Sequence, residues 1–302
     1  MMHSKWQSLL TCHLAALILS FTALFAKLIQ FPAYAIIFWR CIYAALVLAL
    51  FIVINREFKS IKGHYLGLFI MAICMCLHWV SLFYAIQVST VAIGVISVFT
   101  FPLWTVLLDA FFLQKQLNKR YVILAVLLIV SVLGLVPDLA WDNQATQGIA
   151  WGVFSAVTFS IRNILSQQYI KQFSAAYLMA IQCIVTSLVL FPFIATSNLG
   201  FPMGLDWIYL LILGVFVTAV GHTLFVSSFK VLSAGVASLI ASSQPVYSII
   251  LAYFILAETP TLRILMGGMG IIVIVTLSSY WSMKSLTTLP KPQIEHIKDD
   301  RL

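Results

Sequence analysis

The chain has 302 residues and a net charge of +8; 62% of its residues are hydrophobic and 9% are charged. Because soluble domains contain about 25% charged residues, this composition excludes a soluble globular protein. Apolar runs of about 20 residues, the length of a helix that crosses a bilayer, recur throughout the chain. The sequence therefore predicts an all-α membrane protein with several transmembrane helices.

Ten transmembrane spans are predicted, and short connections join most of them. In chain order they cover residues 8–29, 33–54, 64–86, 91–113, 119–137, 147–169, 175–196, 206–228, 234–256 and 261–282. The segment 283–302 contains two prolines and mixed charges, so we expect a disordered cytoplasmic tail there.

The distribution of Lys and Arg predicts the orientation of the chain. Cytoplasmic loops of membrane proteins carry an excess of these residues. With the N-terminus placed inside, Arg263 is the one residue among the 17 Lys and Arg that falls in an outside loop. We therefore expect a multi-pass protein of the cell (inner) membrane with both termini in the cytoplasm.

The second half of the sequence repeats the first. Pro102–Leu113 aligns with Pro245–Leu256 when the numbering is shifted by 143 residues. Each half has five predicted spans, an odd number, so the second half must enter the membrane from the opposite side. The sequence therefore predicts two inverted-topology five-helix repeats, at 8–137 and 147–282, with a site between them.

Pro102 and Pro245 lie inside the fourth and ninth predicted spans. Proline removes a backbone donor and kinks a helix. Lipid tolerates such a kink only where neighbouring protein or a cavity satisfies the freed carbonyl. We therefore expect the two prolines to act as hinges beside the site between the halves.

A polar stripe in the sixth span provides the first candidates for substrate contact. Ser155, Thr158 and Arg162 share one helix face, and Arg162 is the repeat equivalent of Lys27. Two cations facing one cavity would suit a substrate carboxylate or phosphate. Alternatively, Lys27 extends to the outer surface, and Arg162 caps backbone carbonyls or pairs with Asp109.

Two histidines, His78 and His222, occupy equivalent positions in the third and eighth spans. Histidine titrates near neutral pH, so both could couple proton movement to transport. The alternative is a neutral histidine that bonds a backbone carbonyl beside a kinked helix. Asp109, near the inner end of the fourth span, is a candidate for closing an inner gate with a cation.

Aromatic and amide side chains complete the predicted substrate site. Aromatic rings on the cavity-forming spans could stack against a ring-bearing or cationic substrate. Polar residues just before Pro245 face either the cavity or the fourth span. The predicted substrate-binding residues are His78, Trp79, Trp104, Ser155, Thr158, Arg162, His222, Ser242, Gln244 and Tyr247.

These features resemble the EamA family of the drug/metabolite transporter superfamily. The resemblance is carried by the five-plus-five organisation, the two prolines, Arg40 at the start of the second span and Leu256-Ala-Glu258 at the end of the ninth. It implies a single-chain carrier in which spans 1–4 and 6–9 surround a central cavity. Family members export amino acids and other metabolites or move sugars, nucleotide-sugars or drugs. Lys115 stands where the family often has a glutamate.

The sequence thus predicts a secondary transporter that exports small metabolites, with amino acids or related amphipathic compounds first, by alternating access. The alternatives are a nucleoside, nucleotide-sugar, polyamine or drug carrier. An intramembrane enzyme is a remote alternative, because neither a Gly-x-Ser-Gly nor a His-Glu-x-x-His string occurs. We expect no cofactor, no metal and no nucleic-acid partner. The expected partners are a small-molecule substrate and the lipid bilayer. The protein is expected to be a monomer or a homodimer.

Overall fold

A computed structural model describes residues 2–112, 140–232 and 243–287, with isolated positions between 119 and 131 and between 237 and 241. Within these residues every regular element is a helix. The predicted fifth span lies mostly outside the described residues, and so does the chain beyond 287. The predicted all-α class is confirmed for the part of the chain that the structure describes.

The first half contains six helices in its described part: α1 (Met2–Ser20), α2 (Thr22–Leu28), α3 (Ala33–Ile54), α4 (Tyr65–Val88), α5 (Val91–Val98) and α6 (Phe101–Phe112). The second half contains α7 (Gln144–Tyr169), α8 (Ala175–Ala195), α9 (Gly204–Ile212), a π-helical segment (Leu213–His222), α10 (Thr223–Ser228), α11 (Gln244–Leu256) and α12 (Leu262–Thr287).

Six helices among the described residues are long and apolar enough to cross a membrane. They are Trp6–Leu28, Ala33–Ile54, Tyr65–Val88, Gln144–Tyr169, Ala175–Ala195 and Gly204–Ser228. Their lipid-compatible surfaces carry exposed apolar side chains such as Leu66, Leu188 and Phe216. The protein is therefore a multi-pass membrane protein. The helix α12 continues to Thr287, five residues into the segment predicted as tail, and residues 283–287 contain neither proline nor glycine that would end it.

Both prolines lie in the first turn of a helix. The fourth predicted span is divided by a turn at Phe99 and Thr100, and α6 begins one residue before Pro102. Likewise, α11 begins at Gln244, one residue before Pro245. A proline is tolerated there because the first turn has no internal partner for its missing N–H. The structure thus places a new helix start at each proline, where the sequence predicts a kink.

The two halves pack closely against each other. The most extensive contacts join α4 to α7 and α3 to α8, and α5 packs on both α7 and α11. On the other side, α1 contacts the π-helical segment, α10 and α11, while α3 contacts the π-helical segment. The core between the halves consists of fully buried side chains, including Met71, Met75, Trp79 and Phe83.

One glycine sets the distance between α3 and the π-helical segment. A Cβ atom added at Gly214 would lie 2.8 Å from the carbonyl oxygen of Arg40 and 2.8 Å from the Cβ of Tyr43. Both distances are shorter than a normal contact, and the backbone carbonyl cannot move without moving α3. The absence of a side chain at Gly214 therefore brings the two helices together beside Arg40.

We expect Gly214→Ala to destabilise the protein by about 1–3 kcal/mol, the usual cost of overpacking a filled interface. Thermal unfolding of the purified protein in detergent measures the change. Gly200→Ala is the matched control, since nothing lies within 4 Å of a Cβ at that position. Equal midpoints for the two variants would show that the helices can separate freely at Gly214.

Candidate functional site

A cavity of about 60 Å³ lies between the two halves. The first half lines it with residues from the α1–α2 region, α4 and the α5–α6 region, and the second half with residues from α7, the π-helical segment, α10 and α11. The lining residues are Leu19, Thr22, Ala23, His78, Trp79, Leu82, Ile86, Val95, Val98, Phe99, Phe101, Phe159, His222, Phe225, Gln244 and Ser248. The volume is enough for a few water molecules. None of these described lining residues carries a full charge.

Aromatic rings form much of the cavity wall, and they pack as a continuous cluster. The ring of Phe159 stacks on His78 with centroids 4.2 Å apart and meets Phe101 edge-on at 4.9 Å. On its other side it stacks on Phe225 at 6.3 Å. Such a wall offers ring faces to an aromatic or cationic ligand.

His78 is tied to α7 by three polar contacts with Ser155. Its Nδ1 lies 2.7 Å from the Ser155 hydroxyl oxygen and 3.1 Å from the Ser155 carbonyl oxygen. The same hydroxyl donates to the His78 carbonyl at 2.9 Å. Thr158, one turn further along α7, donates back to its own helix. Ser155 and Thr158 therefore lie behind the cavity wall, and Ser155 positions His78 within it.

His222 is bonded to the opposite half through Trp79. The Trp79 Nε1–H donates to His222 Nε2 at 3.3 Å, and the two rings meet at 71°. Since Nε2 accepts, a neutral His222 carries its proton on Nδ1. That Nδ1 is buried and has no hydrogen-bond partner among the described residues. His222 thus provides an unused N–H donor in a side chain that lines the cavity.

The ninth span contributes Gln244 and Ser248 to the cavity. Ser248 donates to the Ser20 carbonyl at 2.8 Å, which joins α11 to α1. Ser242 lies outside the described residues. Tyr247 is 41% exposed and Trp104 half-buried, and neither lines the cavity. Both residues were predicted as aromatic side chains just past the two prolines, and that position does not show which way α6 and α11 turn them.

Arg162, the predicted cation for the substrate, is fully buried in α7 and does not line the cavity. Its Nε donates to Gln182 Oε1 at 2.7 Å, Nη1 to Asn163 Oδ1 at 3.0 Å and Nη2 to Met179 Sδ at 3.0 Å. Each of its nitrogens therefore has a protein partner, and the side chain links α7 to α8. The side chain of Asp109, its alternative partner in the sequence interpretation, lies outside the described residues.

The ammonium group of Lys27 bonds backbone carbonyl oxygens rather than facing the cavity. Its Nζ donates to Ser89 O at 2.7 Å and to Gln87 O at 3.4 Å, at the end of α4. A cation is favourable at a helix C-terminus, where carbonyl groups lack internal partners. The structure therefore does not place Lys27 and Arg162 in one cavity.

Arg40 opens the second predicted span near the outer surface, and its repeat equivalent is the uncharged Gln182, so the sequence favours a structural role for it. It is 0% exposed, and its Nε donates to Thr218 Oγ1 at 2.9 Å. Its guanidinium carbon lies 4.6 Å from the ring centroid of Trp79 and 5.3 Å from that of Phe83. The sequence did contain a signal for this burial: Arg40 is the eighth residue of α3 and lies about 10 Å from the helix start at 1.5 Å per residue.

The sequence is similar to those of known and uncharacterised transporters. The profile described as the EamA-like transporter family matches residues 6–136 and again residues 146–280. An uncharacterised transporter of Bacillus subtilis, YxxF, is 25% identical over 75% of each chain. An S-adenosylmethionine uptake transporter of Rickettsia felis is 27% identical over 67% of each chain. The S-adenosylmethionine uptake transporter of Rickettsia conorii is 26% identical over 83% of this chain and 84% of the relative.

A solved crystal structure has the same fold. It aligns with a TM-score of 0.68 at 16% sequence identity and covers 92% of this chain and 99% of the other.

We expect Gln182→Met to destabilise the protein by about 2–3 kcal/mol, because it removes the acceptor from the buried Arg162 Nε. The midpoint of thermal unfolding measures this loss. Ser187→Ala, also buried in α8, is the control, since the partner of its hydroxyl among the described residues is the Cys183 carbonyl of its own helix. If Gln182→Met unfolds like Ser187→Ala, the bond to Arg162 contributes little to the fold.

Proposed function

Because the chain belongs to the EamA-like transporter family of the drug/metabolite transporter superfamily, we propose that it is a secondary carrier that exports a small amphipathic metabolite, with amino acids as the first candidates. The single observation that carries this proposal is the cavity whose walls come from both halves of the chain. A pocket built at the boundary of two packed halves is the usual site of transport by alternating access.

The packing of the helices supports two inverted repeats, at 8–137 and 147–282. If each helix is replaced by its repeat equivalent in the other half, the pair α4 and α7 corresponds to the π-helical segment and α1, and both pairs are in contact. In the same way, the pair α4 and α8 corresponds to the π-helical segment and α3, and these pairs are also in contact. The pair α3 and α8 and the pair α5 and α11 each correspond to themselves. This is the pattern that a two-fold axis between the halves produces.

The contacts across the cavity suit a movement that opens and closes it. Trp79 to His222 and His78 to Ser155 each join one half to the other through neutral groups. A neutral hydrogen bond contributes about 0.5–1.5 kcal/mol net, so either can be exchanged for water or substrate within a transport cycle. His222 also ends a π-helical segment, and π-helical turns occur often at functional sites.

We assign roles to the predicted residues on this basis. His78, Trp79, His222 and Gln244 contact the substrate, and the two histidines couple proton movement or gate the cavity. Asp109 contributes to the inner gate. Pro102 and Pro245, each at the start of a helix, remain the proposed hinges. Ser155, Thr158 and Arg162 support the wall from behind, with the chain acting as a monomer or homodimer.

Uptake of S-adenosylmethionine is the second candidate function. The Rickettsia relatives carry that name, and the aromatic cavity wall of this chain suits a sulfonium cation and an adenine ring. This candidate differs from the first in direction as well as in substrate. Proteoliposomes loaded from either side with labelled amino acids or S-adenosylmethionine separate the two. Movement of none of these compounds, relative to empty vesicles, would contradict both.

For whichever compound moves, we expect His222→Leu to reduce flux by at least about tenfold, because leucine has neither the unused N–H donor nor an acceptor for Trp79. Initial rates in proteoliposomes measure the effect. His13→Leu is the same chemical change on an exposed position of α1 and serves as the control. Unchanged flux in His222→Leu, with the protein correctly inserted, would exclude His222 from the substrate path.

A further inference from the structure

Arg40 is a buried cation whose hydrogen-bonding capacity is mostly unused. Its Nε bonds Thr218, but Nη1 and Nη2 are buried without a partner in the part of the chain that the structure describes. Arg162, equally buried, has a partner for every nitrogen. An unpartnered buried charged group is costly, and such groups in native proteins call for a functional explanation.

The groups around Arg40 are neutral. Its guanidinium carbon lies 4.6 Å from the ring centroid of Trp79 and 5.3 Å from that of Phe83, and its hydrogen-bond partner is a threonine hydroxyl. The aromatic faces offset part of the cost of burying the cation. They leave the two Nη groups free to form the paired N–H bonds by which arginine holds a carboxylate.

Trp79 lies against both Arg40 and the cavity. It lines the cavity, and the guanidinium of Arg40 packs over its ring. Its Nε1–H is bonded to His222 in the opposite half at 3.3 Å, a long hydrogen bond. A change in the relative position of the halves would break this bond and allow the indole to turn, which would bring Arg40 into contact with the cavity.

Among the described residues, none that lines the cavity carries a full charge. Its aromatic wall, with Phe101, Phe159 and Phe225, suits an ammonium or sulfonium group. A carboxylate on the same molecule would meet neutral donors at the described wall, such as His222 and Gln244. Arg40, which packs over the ring of Trp79, carries a positive charge with unused donors.

We propose that Arg40 binds the carboxylate of a zwitterionic substrate after Trp79 has moved off its guanidinium. The ammonium or sulfonium end of the same substrate then lies against the aromatic wall. This rests on the proposed function as a metabolite carrier and names its substrate class. Arg40 is a substrate-binding residue in this account, and Trp79 is the side chain that covers it when the cavity is empty.

Thermal stabilisation of the purified full-length protein tests recognition of the carboxylate. The probes are pairs that differ by that group: L-phenylalanine with 2-phenylethylamine, and L-tryptophan with tryptamine. We expect the amino acid of a pair to stabilise the wild type at concentrations at least about tenfold lower than its amine. In Arg40→Met this preference should disappear. A preference retained in Arg40→Met would overturn the proposal.

The unfolding temperature of the unliganded protein provides a second readout. If Arg40 were purely structural, its replacement would lower this temperature. Replacing a buried charge that lacks partners by an apolar side chain of similar size is neutral or stabilising. We therefore expect Arg40→Met to unfold at the wild-type temperature or above it, and Arg162→Met to unfold at a lower temperature. A midpoint for Arg40→Met as low as that of Arg162→Met would overturn the proposal.

Flux measurements separate failure of this inference from failure of the proposed function. In proteoliposomes we expect Arg40→Met to raise the KM of the transported amino acid by at least about tenfold. Wild-type vesicles that move an amino acid and its amine equally well would overturn the role of Arg40 and leave the carrier function intact. Wild-type vesicles that move none of the probes, in a protein that no probe stabilises, would overturn both.

Discussion

The lack of water inside a bilayer is the constraint on which this structure depends. A polar group buried among transmembrane helices must find its partner within the protein. Here several of these partners come from the opposite half: Ser155 for His78, His222 for Trp79 and Thr218 for Arg40. The polar residues that line or support the cavity are thus also the residues that join the halves. A substitution that alters the cavity at these residues therefore also alters the contact between the halves.

The sequence predicted the helical class and the approximate helix bounds, because apolar run length is a local property. It also predicted four residues that line the cavity: His78, Trp79, His222 and Gln244. It did not distinguish the two arginines. Arg162 was favoured for its polar stripe, but its partners Gln182 and Met179 come from another helix. Arg40 was set aside because its repeat equivalent is uncharged. Neither spacing nor repeat alignment reports which helix completes a side chain's hydrogen bonds.

The loops of the bundle show a further kind of contact between the halves. At the end predicted to be cytoplasmic, Lys59 Nζ donates to the Gln172 carbonyl at 2.6 Å, and Tyr177 donates to the Lys59 carbonyl at 2.8 Å. At the other end, Asp206 accepts from the backbone N–H of Gln30 at 3.0 Å. At each end, a charged side chain of one half therefore bonds a backbone group of the other half. A carrier that alternates between two openings would release one end at a time.

Glu258 shows how such a release can occur at little cost. Its Oε2 accepts from the backbone N–H of Val91 at 2.9 Å, at the first residue of α5. That N–H has no partner within its own helix. In a carrier whose halves separate at this end, water would enter the same gap and solvate both the carboxylate and the amide. The exchange would leave the number of hydrogen bonds unchanged, so hydration rather than a substitute protein contact would stabilise the open form.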